Sequence, residues 1–246
     1  MSYSICYSCL SHRGLVRRNN QDNILICREY MDPRADAEFS IGGVLSGLPQ
    51  TVGVYDGLGG EELGEVAAFI AAKEAAAMRT GADPEEDLRS FCRRANAGIC
   101  RYADENGVSS MGTTAAMLVF NGKRVTAMNV GDSRIYRLSG GHMRRVSVDH
   151  VFPFSFGRKP PLTQNLGIPE NLLRLSPEIR SFPAVVGDRY LICSDGLTDM
   201  VDEERIRFLL EGCTPDIAAN ALLCDALRNG GRDNITLAVL NIVEDK

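Results

Sequence analysis

Tryptophan is absent, histidine occurs only three times (His12, His142 and His150), and no run of lysines and arginines or tract of low complexity interrupts the 246 residues. No apolar run approaches the roughly 20 residues that a membrane-spanning helix needs. With a formal charge of −5 and no basic run, the chain is not expected to bind nucleic acid or an anionic membrane surface. None of the three histidines is paired at a ligand spacing, which disfavours a zinc site of the His/Cys kind. The start, Met1 to Cys6, has neither a basic nor an apolar leader segment, so a cytoplasmic location is expected. The eight cysteines are scattered singly, mostly in apolar runs. The one close pair, Cys6 and Cys9, lies in strand-like sequence whose period of two sends them to opposite faces. Reduced, structural thiols are the expectation.

What is present is an ordinary globular composition with no linker-like stretch, long enough for one large core, so a single domain over residues 1–246 is expected. Apolar and alternating runs predict strands over 3–8, 23–28, 51–55, 113–120, 124–130, 134–138, 142–148, 189–193 and 235–243. An irregular insertion rich in Asp, Pro and Gly separates the second and third. Helical spacing of Leu63, Val66, Ala67, Ile70 and Ala77 predicts a helix over about 61–78. A second begins at Asp83-Pro84-Glu85-Glu86, a cap, a first-turn proline and a capping-box Glu, with Leu88, Phe91, Cys92, Ala95 and Ile99 facing inward. Two more are predicted over 203–211 and 215–228. Asn121-Gly122 and Gly140-Gly141 read as hairpin turns, with Gly131-Asp132 as a third link, so these strands are expected to be antiparallel neighbours. Strands and helices in separate blocks predict an α+β fold: two packed antiparallel sheets flanked by helices.

The stretch Thr51-Val-Gly-Val-Tyr-Asp56-Gly57-Leu58-Gly59-Gly60 ends a strand in one carboxylate and a glycine-rich turn. The same grammar recurs at Asp22, Gly131-Asp132-Ser133, Asp195-Gly196 with Asp199, and Asp233-Asn234. Taken singly, each Asp reads first as a turn residue. If they converge, the bound cation must be hard and oxygen-loving, Mg²⁺ or Mn²⁺. Two carboxylates about 4 Å apart repel by roughly 4 kcal/mol at an effective dielectric near 20, so a cluster needs divalent ions or strong pKa shifts. Two metals can activate water and neutralise a leaving oxyanion, as hydrolysis of a phosphate ester requires. Spacing alone carries the reading to a metal-dependent hydrolase and stops there.

In the order of its motifs the chain resembles the metal-dependent Ser/Thr protein phosphatases of type 2C, in their compact bacterial form. The resemblance rests on Gly14-Leu-Val-Arg17-Arg-Asn-Asn-Gln21-Asp22, Val54-Tyr-Asp56-Gly57-Leu-Gly59-Gly60, Gly112-Thr113-Thr114 and Asn129-Val-Gly131-Asp132-Ser133-Arg134. Asp149-His150, Leu162-Thr163-Gln164, Ser194-Asp195-Gly196-Leu197-Thr198-Asp199 and Asp233-Asn234-Ile-Thr236 complete the series. The resemblance implies an α-β-β-α sandwich and two tightly bound Mn²⁺ or Mg²⁺ ions, with a weaker third. Asp56 would bridge the pair and the Gly57 carbonyl would ligate one of them. Asp195 and Asp233 would hold the first metal, and Asp22 would serve the second largely through water. Asp132, Asp195 and Asp199 would form the third site. Arg17 matches the arginine that holds the substrate phosphate, with Arg13 and Arg18 as neighbours in the same loop. The implied substrates are proteins phosphorylated by a Ser/Thr kinase, hydrolysed by a metal-activated water in a monomeric enzyme.

Three features depart from the family pattern. Gln21 stands where many members carry Glu, and Leu58 where eukaryotic members carry a His regarded as a general acid. The flap region is short, about 151–161, and its Phe-rich, Arg158-Lys159 composition suits either a basic lip for a phosphopeptide or packing on the sandwich edge. His150 is expected to anchor its loop, His12 to be a polar loop residue, and Met111, Met117 and Met128 to be core. Two alternatives remain at this point: a phosphoprotein-binding regulatory module that has lost the reaction, and a hydrolase of small phosphate esters.

Overall fold

A strand buried on both faces must be apolar at nearly every position, and this sequence supplies several such runs. In the computed structural model, which describes residues 3–32, 38–58, 63–154 and 159–245, they form the middle of the molecule. The first half holds β1 (Tyr3–His12), β2 (Asp22–Ile26), β3 (Glu29–Tyr30), β4 (Glu38–Leu45), β5 (Gln50–Asp56), α1 (Gly64–Ala77) and α2 (Pro84–Asn106). Next come β6 (Ala115–Asn121), β7 (Arg124–Val130), β8 (Arg134–Ser139), β9 (His142–Arg145) and β10 (Glu178–Pro183). The chain closes with β11 (Arg189–Cys193), α3 (Asp195–Thr198), α4 (Glu203–Gly212), α5 (Pro215–Arg228) and β12 (Ile235–Glu244).

The strands build two sheets, ordered β4-β1-β12-β11-β8-β9 and β10-β7-β6-β5-β2-β3, with antiparallel pairing throughout. Period-two geometry sorts their side chains into three layers. Ile24, Val52, Val54, Leu118, Phe120, Tyr190, Ile192 and Leu240 fill the space between the sheets. Leu25, Tyr55, Met117, Val119 and Met128 face α1 and α2, and Leu191, Cys193, Leu237 and Val239 face the other three helices. The result is the expected α-β-β-α sandwich. Met111, Met117 and Met128 are core residues, as expected.

Several elements depart from the sequence-based expectation. The insertion before β5 contains the edge strand β4, whose low-propensity Ser40-Ile-Gly42-Gly43 run is held by pairing with β1. The edge strand β10 was also missed; it pairs with β7 and has little buried surface to signal it. The second strand ends at Ile26, because Cys27 and Arg28 turn to positive φ. The Asn121-Gly122 and Gly140-Gly141 turns make hairpins, the latter with both glycines at the positive φ that a type I′ turn requires. The Gly131-Asp132 link does not: it carries the chain from β7 in one sheet to β8 in the other. On α1 the buried face is Ala67, Ala68, Ala71, Ala72 and Ala75, and Ala77 is exposed. Small residues let that helix lie close on the sheet. The expected start at Glu61 lies outside the described residues.

All eight cysteines are free, with Cys9, Cys92 and Cys193 buried and Cys27 and Cys224 exposed. At the start of α2 the Asp83 carboxylate accepts from the backbone N–H groups of Glu85 and Glu86, at 3.2 and 3.3 Å. Asp83→Ala is therefore expected to destabilise the fold by about 1 kcal/mol, a fall in Tm of about 2–4 °C. Thermal unfolding checks it, and Asp83→Asn, which keeps a capping acceptor, should avoid most of the loss.

Candidate functional site

Antiparallel pairing brings the start of one strand beside the end of its neighbour, and the acidic residues occupy such ends. Asp22 opens β2 directly opposite Asp56, which closes β5. Asp132 follows β7, Asp195 follows β11, and Asp233 precedes β12, the neighbour of β11. All of these ends lie on one side of the sandwich. Arg17, Asp56, Gly57, Asp132, Asp195 and Asp233 line one cleft of about 460 Å³, together with Leu58, Thr114, Lys159 and Leu162.

Backbone contacts pin these residues. Asp56 N–H donates to Thr114 Oγ1 at 3.1 Å, and its carbonyl accepts from Thr114 N–H and the Thr113 hydroxyl, both at 2.9 Å. Thr114 Oγ1 in turn bonds the Ser133 hydroxyl, next to Asp132. Gly57 must be glycine, since a Cβ there would run into the carbonyl oxygens of Gln21 and Gly64. Behind the cleft, buried Asp22 accepts a 2.8 Å bond from Ser194 Oγ, the residue preceding Asp195. Asn234 ties the far end together: its Oδ1 accepts from Gln21 N–H, and its amide donates to the carbonyls of Arg13 and Asn19.

The charges conflict. Burial pushes the Asp56 carboxyl well above the usual range, and the nearby charges of Asp22 and Asp132 push it further. Burial raises Asp22 to about 6, opposed by the Thr236 and Ser194 hydroxyls. Among the described residues, two side-chain cations answer the cluster. Arg17 Nη2 lies 2.7 Å from Asp233 Oδ2. Lys159 Nζ lies 3.2 Å from Asp132 Oδ2 and also contacts Asp195 Oδ2. Burial alone would lower the Lys159 pKa, but the charges of Asp132, Asp56 and Asp199 outweigh it and raise it.

Among the described residues, no three His, Cys, Asp or Glu side chains stand as a ready-made ligand cage. The donor set nevertheless fits a hard cation: it is all oxygen, two of its carboxyls are strained upward by burial and like charge, and an ammonium already stands among them. Asp199 is not among the residues that line the cleft; it is exposed at the end of α3, and its charge acts on Lys159. Gln21 donates its amide to Glu65 at 3.0 Å rather than facing the carboxylates. Phe154 is 85% exposed and does not pack on the sandwich edge, while Phe152 is 51% exposed; Phe156 and Arg158 lie outside the described residues. The sequence reading placed Lys159 only in a basic lip. Nothing in its local sequence signals that it turns inward.

The two remaining histidines near the motifs are anchors. His12 Nδ1 accepts from Gly14 N–H, and its Nε2 lies 3.2 Å from Glu38. His150 Nδ1 accepts from Gly131 N–H at 3.2 Å, fixing the turn that carries Asp132.

Sheet against sheet, helices on both outer faces and an acidic cleft at one end define an α-β-β-α sandwich with a cation-accepting site. The chain belongs to the protein phosphatase 2C family, whose model matches residues 32–227. It is 32% identical over 254 residues to the serine/threonine protein phosphatase PstP of Mycobacterium tuberculosis, covering 97% of this chain and 45% of that protein. The chain thus spans about half the length of that relative. It is 30% identical to the serine/threonine phosphatase Stp of Listeria monocytogenes, over 93% of this chain and 92% of that one. Among solved structures, M. tuberculosis PstP superposes with a TM-score of 0.81 at 28% identity, covering 98% of this chain and 100% of that chain. The catalytic domain of PstP in complex with two manganese ions gives 0.78 at 30% identity, with the same coverage.

The anchoring role of His150 has a pH consequence. Burial lowers its pKa below 6.5, against the weaker opposing charges of Glu178 and Asp149. The folded state then binds fewer protons than the unfolded chain, so this contribution is complete above about 6.5 and lost as pH falls below it. Urea unfolding should show wild type losing more stability between pH 7.5 and 5.5 than His150→Asn, which keeps an acceptor without titrating. Equal losses would contradict the neutral-acceptor assignment.

Proposed function

We propose that the protein is a metal-dependent phosphoprotein phosphatase that hydrolyses phosphoserine and phosphothreonine. The observation that carries this reading is the meeting of Asp22, Asp56, Asp132, Asp195 and Asp233 at one end of the sheets in a chain of this family. When bound, a pair of Mn²⁺ or Mg²⁺ ions would supply an activated water and neutralise charge on the phosphoryl oxygens. Asp56, at the centre of the cluster, would bridge that pair, with the Gly57 carbonyl beside it. Asp195 and Asp233 would complete one position, and Asp22, held by Ser194, the other.

Arg17 stands at the mouth of the cleft, its side chain 40% exposed and its guanidinium bonded to Asp233 through one nitrogen. The remaining donors of that planar fork suit a phosphate dianion. The exposed Phe152 and Phe154 follow Val151, whose pairing with Leu162 reaches the cleft wall. They offer an apolar surface to the peptide around the phosphorylated residue. Leu58 cannot donate a proton, so no side-chain acid is assigned at that position. The complete acidic set speaks against a module that has lost the reaction. We further read residues 1–246 as one catalytic domain acting in the cytoplasm as a monomer on substrates of a Ser/Thr kinase; no described helix is long and apolar enough to cross a membrane.

Phosphate release from a phosphothreonine peptide, with and without Mn²⁺, tests the reading. Release should require the metal. Asp56→Asn should lose more than the roughly 10–100-fold that removing an outer partner of a metal ligand costs. Folded wild type that releases nothing with either ion would overturn the assignment, and faster turnover of a small phosphate ester would move it to another substrate class. Arg17→Ala removes a charge-assisted contact of about 1.5–3 kcal/mol, so kcat/KM should fall by about one to two orders of magnitude, chiefly through KM.

A further inference from the structure

Among the described residues, two side-chain cations divide the acidic cluster between them. Arg17 is committed to Asp233, on one side of the cleft. Lys159 reaches in from the other side, where its Nζ touches both Asp132 and Asp195. Its neighbours Pro160, Pro161 and Leu162 form part of the cleft wall. That wall is tied down by the Phe152 N–H bond to the Pro161 carbonyl at 3.0 Å and by the pairing of Val151 with Leu162. Among the described residues no side-chain cation is in contact with the Asp22–Asp56 pair, and the buried Asp22 carboxylate accepts from the Ser194 hydroxyl.

An ammonium carries three donors and no acceptor, so it can satisfy two carboxylates at once. A divalent ion bound to the same oxygens would lie in close repulsive contact with it. The covalent tether keeps the ammonium at an effective concentration of order millimolar or more. That is enough to displace a weakly held ion, and not one gripped by several buried carboxylates.

We propose that the Lys159 ammonium is the resident cation of the Asp132–Asp195 side of the cleft, taking the place of a third divalent ion there and leaving two divalent positions around Asp56, one of which would share Asp195 with the ammonium through the other carboxylate oxygen. This rests on the reading that the carboxylates accept divalent cations, and it revises the three-ion expectation for this chain. Asp199 is exposed after α3 and lies outside the residues that line the cleft.

Counting bound Mn²⁺ by titration, with free ion followed by electron paramagnetic resonance, tests the proposal without reference to turnover. Wild type should take up two ions, Lys159→Ala three, and Lys159→Arg, which keeps the charge, two. In chelator, Lys159→Ala should melt below wild type because the repulsion it covers is exposed, and Mn²⁺ should raise its Tm by more. Three ions in wild type, or the same count in wild type and Lys159→Ala, would overturn the role of Lys159 and leave the divalent site standing. Wild type that binds no Mn²⁺ would overturn the divalent reading itself.

Discussion

Repulsion among carboxylates gathered at one end of the sheets is the constraint around which the rest of the structure is arranged. Asp22 and Asp56 face each other across two paired strands, and Asp132 acts on Asp56 from the sheet crossover. Left in water, such groups would separate. Here they cannot, because each sits within one or two residues of a strand end whose register is fixed by a core buried on both faces. The rigidity of the double sheet stores the conflict, and cations resolve it.

The supporting shell shows how closely the fold and the site are joined. Thr113 and Thr114 hold Asp56 by its backbone, Thr114 links to Ser133, and Ser194 bonds Asp22 from the turn that presents Asp195. Asn234 fastens the Arg17 loop to the start of β12 through three hydrogen bonds. Hydroxyl and amide groups thus position the carboxylates without adding charge. Loss of one such partner would loosen the carboxylate it holds, at a smaller cost than loss of the carboxylate itself.

Much of this architecture was legible in the sequence, for identifiable reasons. Strands such as β7 and β11 are apolar on both faces, and α5 carries its cap and first-turn proline in plain view, so their limits were read as the structure has them. The acidic punctuation at strand ends was visible too, although only the order of the motifs gave it meaning. What escaped were the elements that tertiary contacts create. The edge strands β4 and β10 are only partly buried; the alternation of Glu38-Phe39-Ser40-Ile41 is short and breaks off at Gly42-Gly43, and β10 has no regular alternation. The Gly131-Asp132 link looks like a hairpin turn because local sequence does not record which sheet the chain enters next. The inward turn of Lys159 is a response to a field assembled from distant parts of the chain, and no local pattern encodes it.

The central claim is that the acidic cleft is a divalent-cation site centred on Asp56. Anomalous diffraction from crystals grown with Mn²⁺ tests it most directly. Two manganese peaks are expected to flank the Asp56 carboxylate, one of them at the Gly57 carbonyl. Peaks confined to the molecular surface, with Asp56 bare in a folded protein at saturating Mn²⁺, would contradict it.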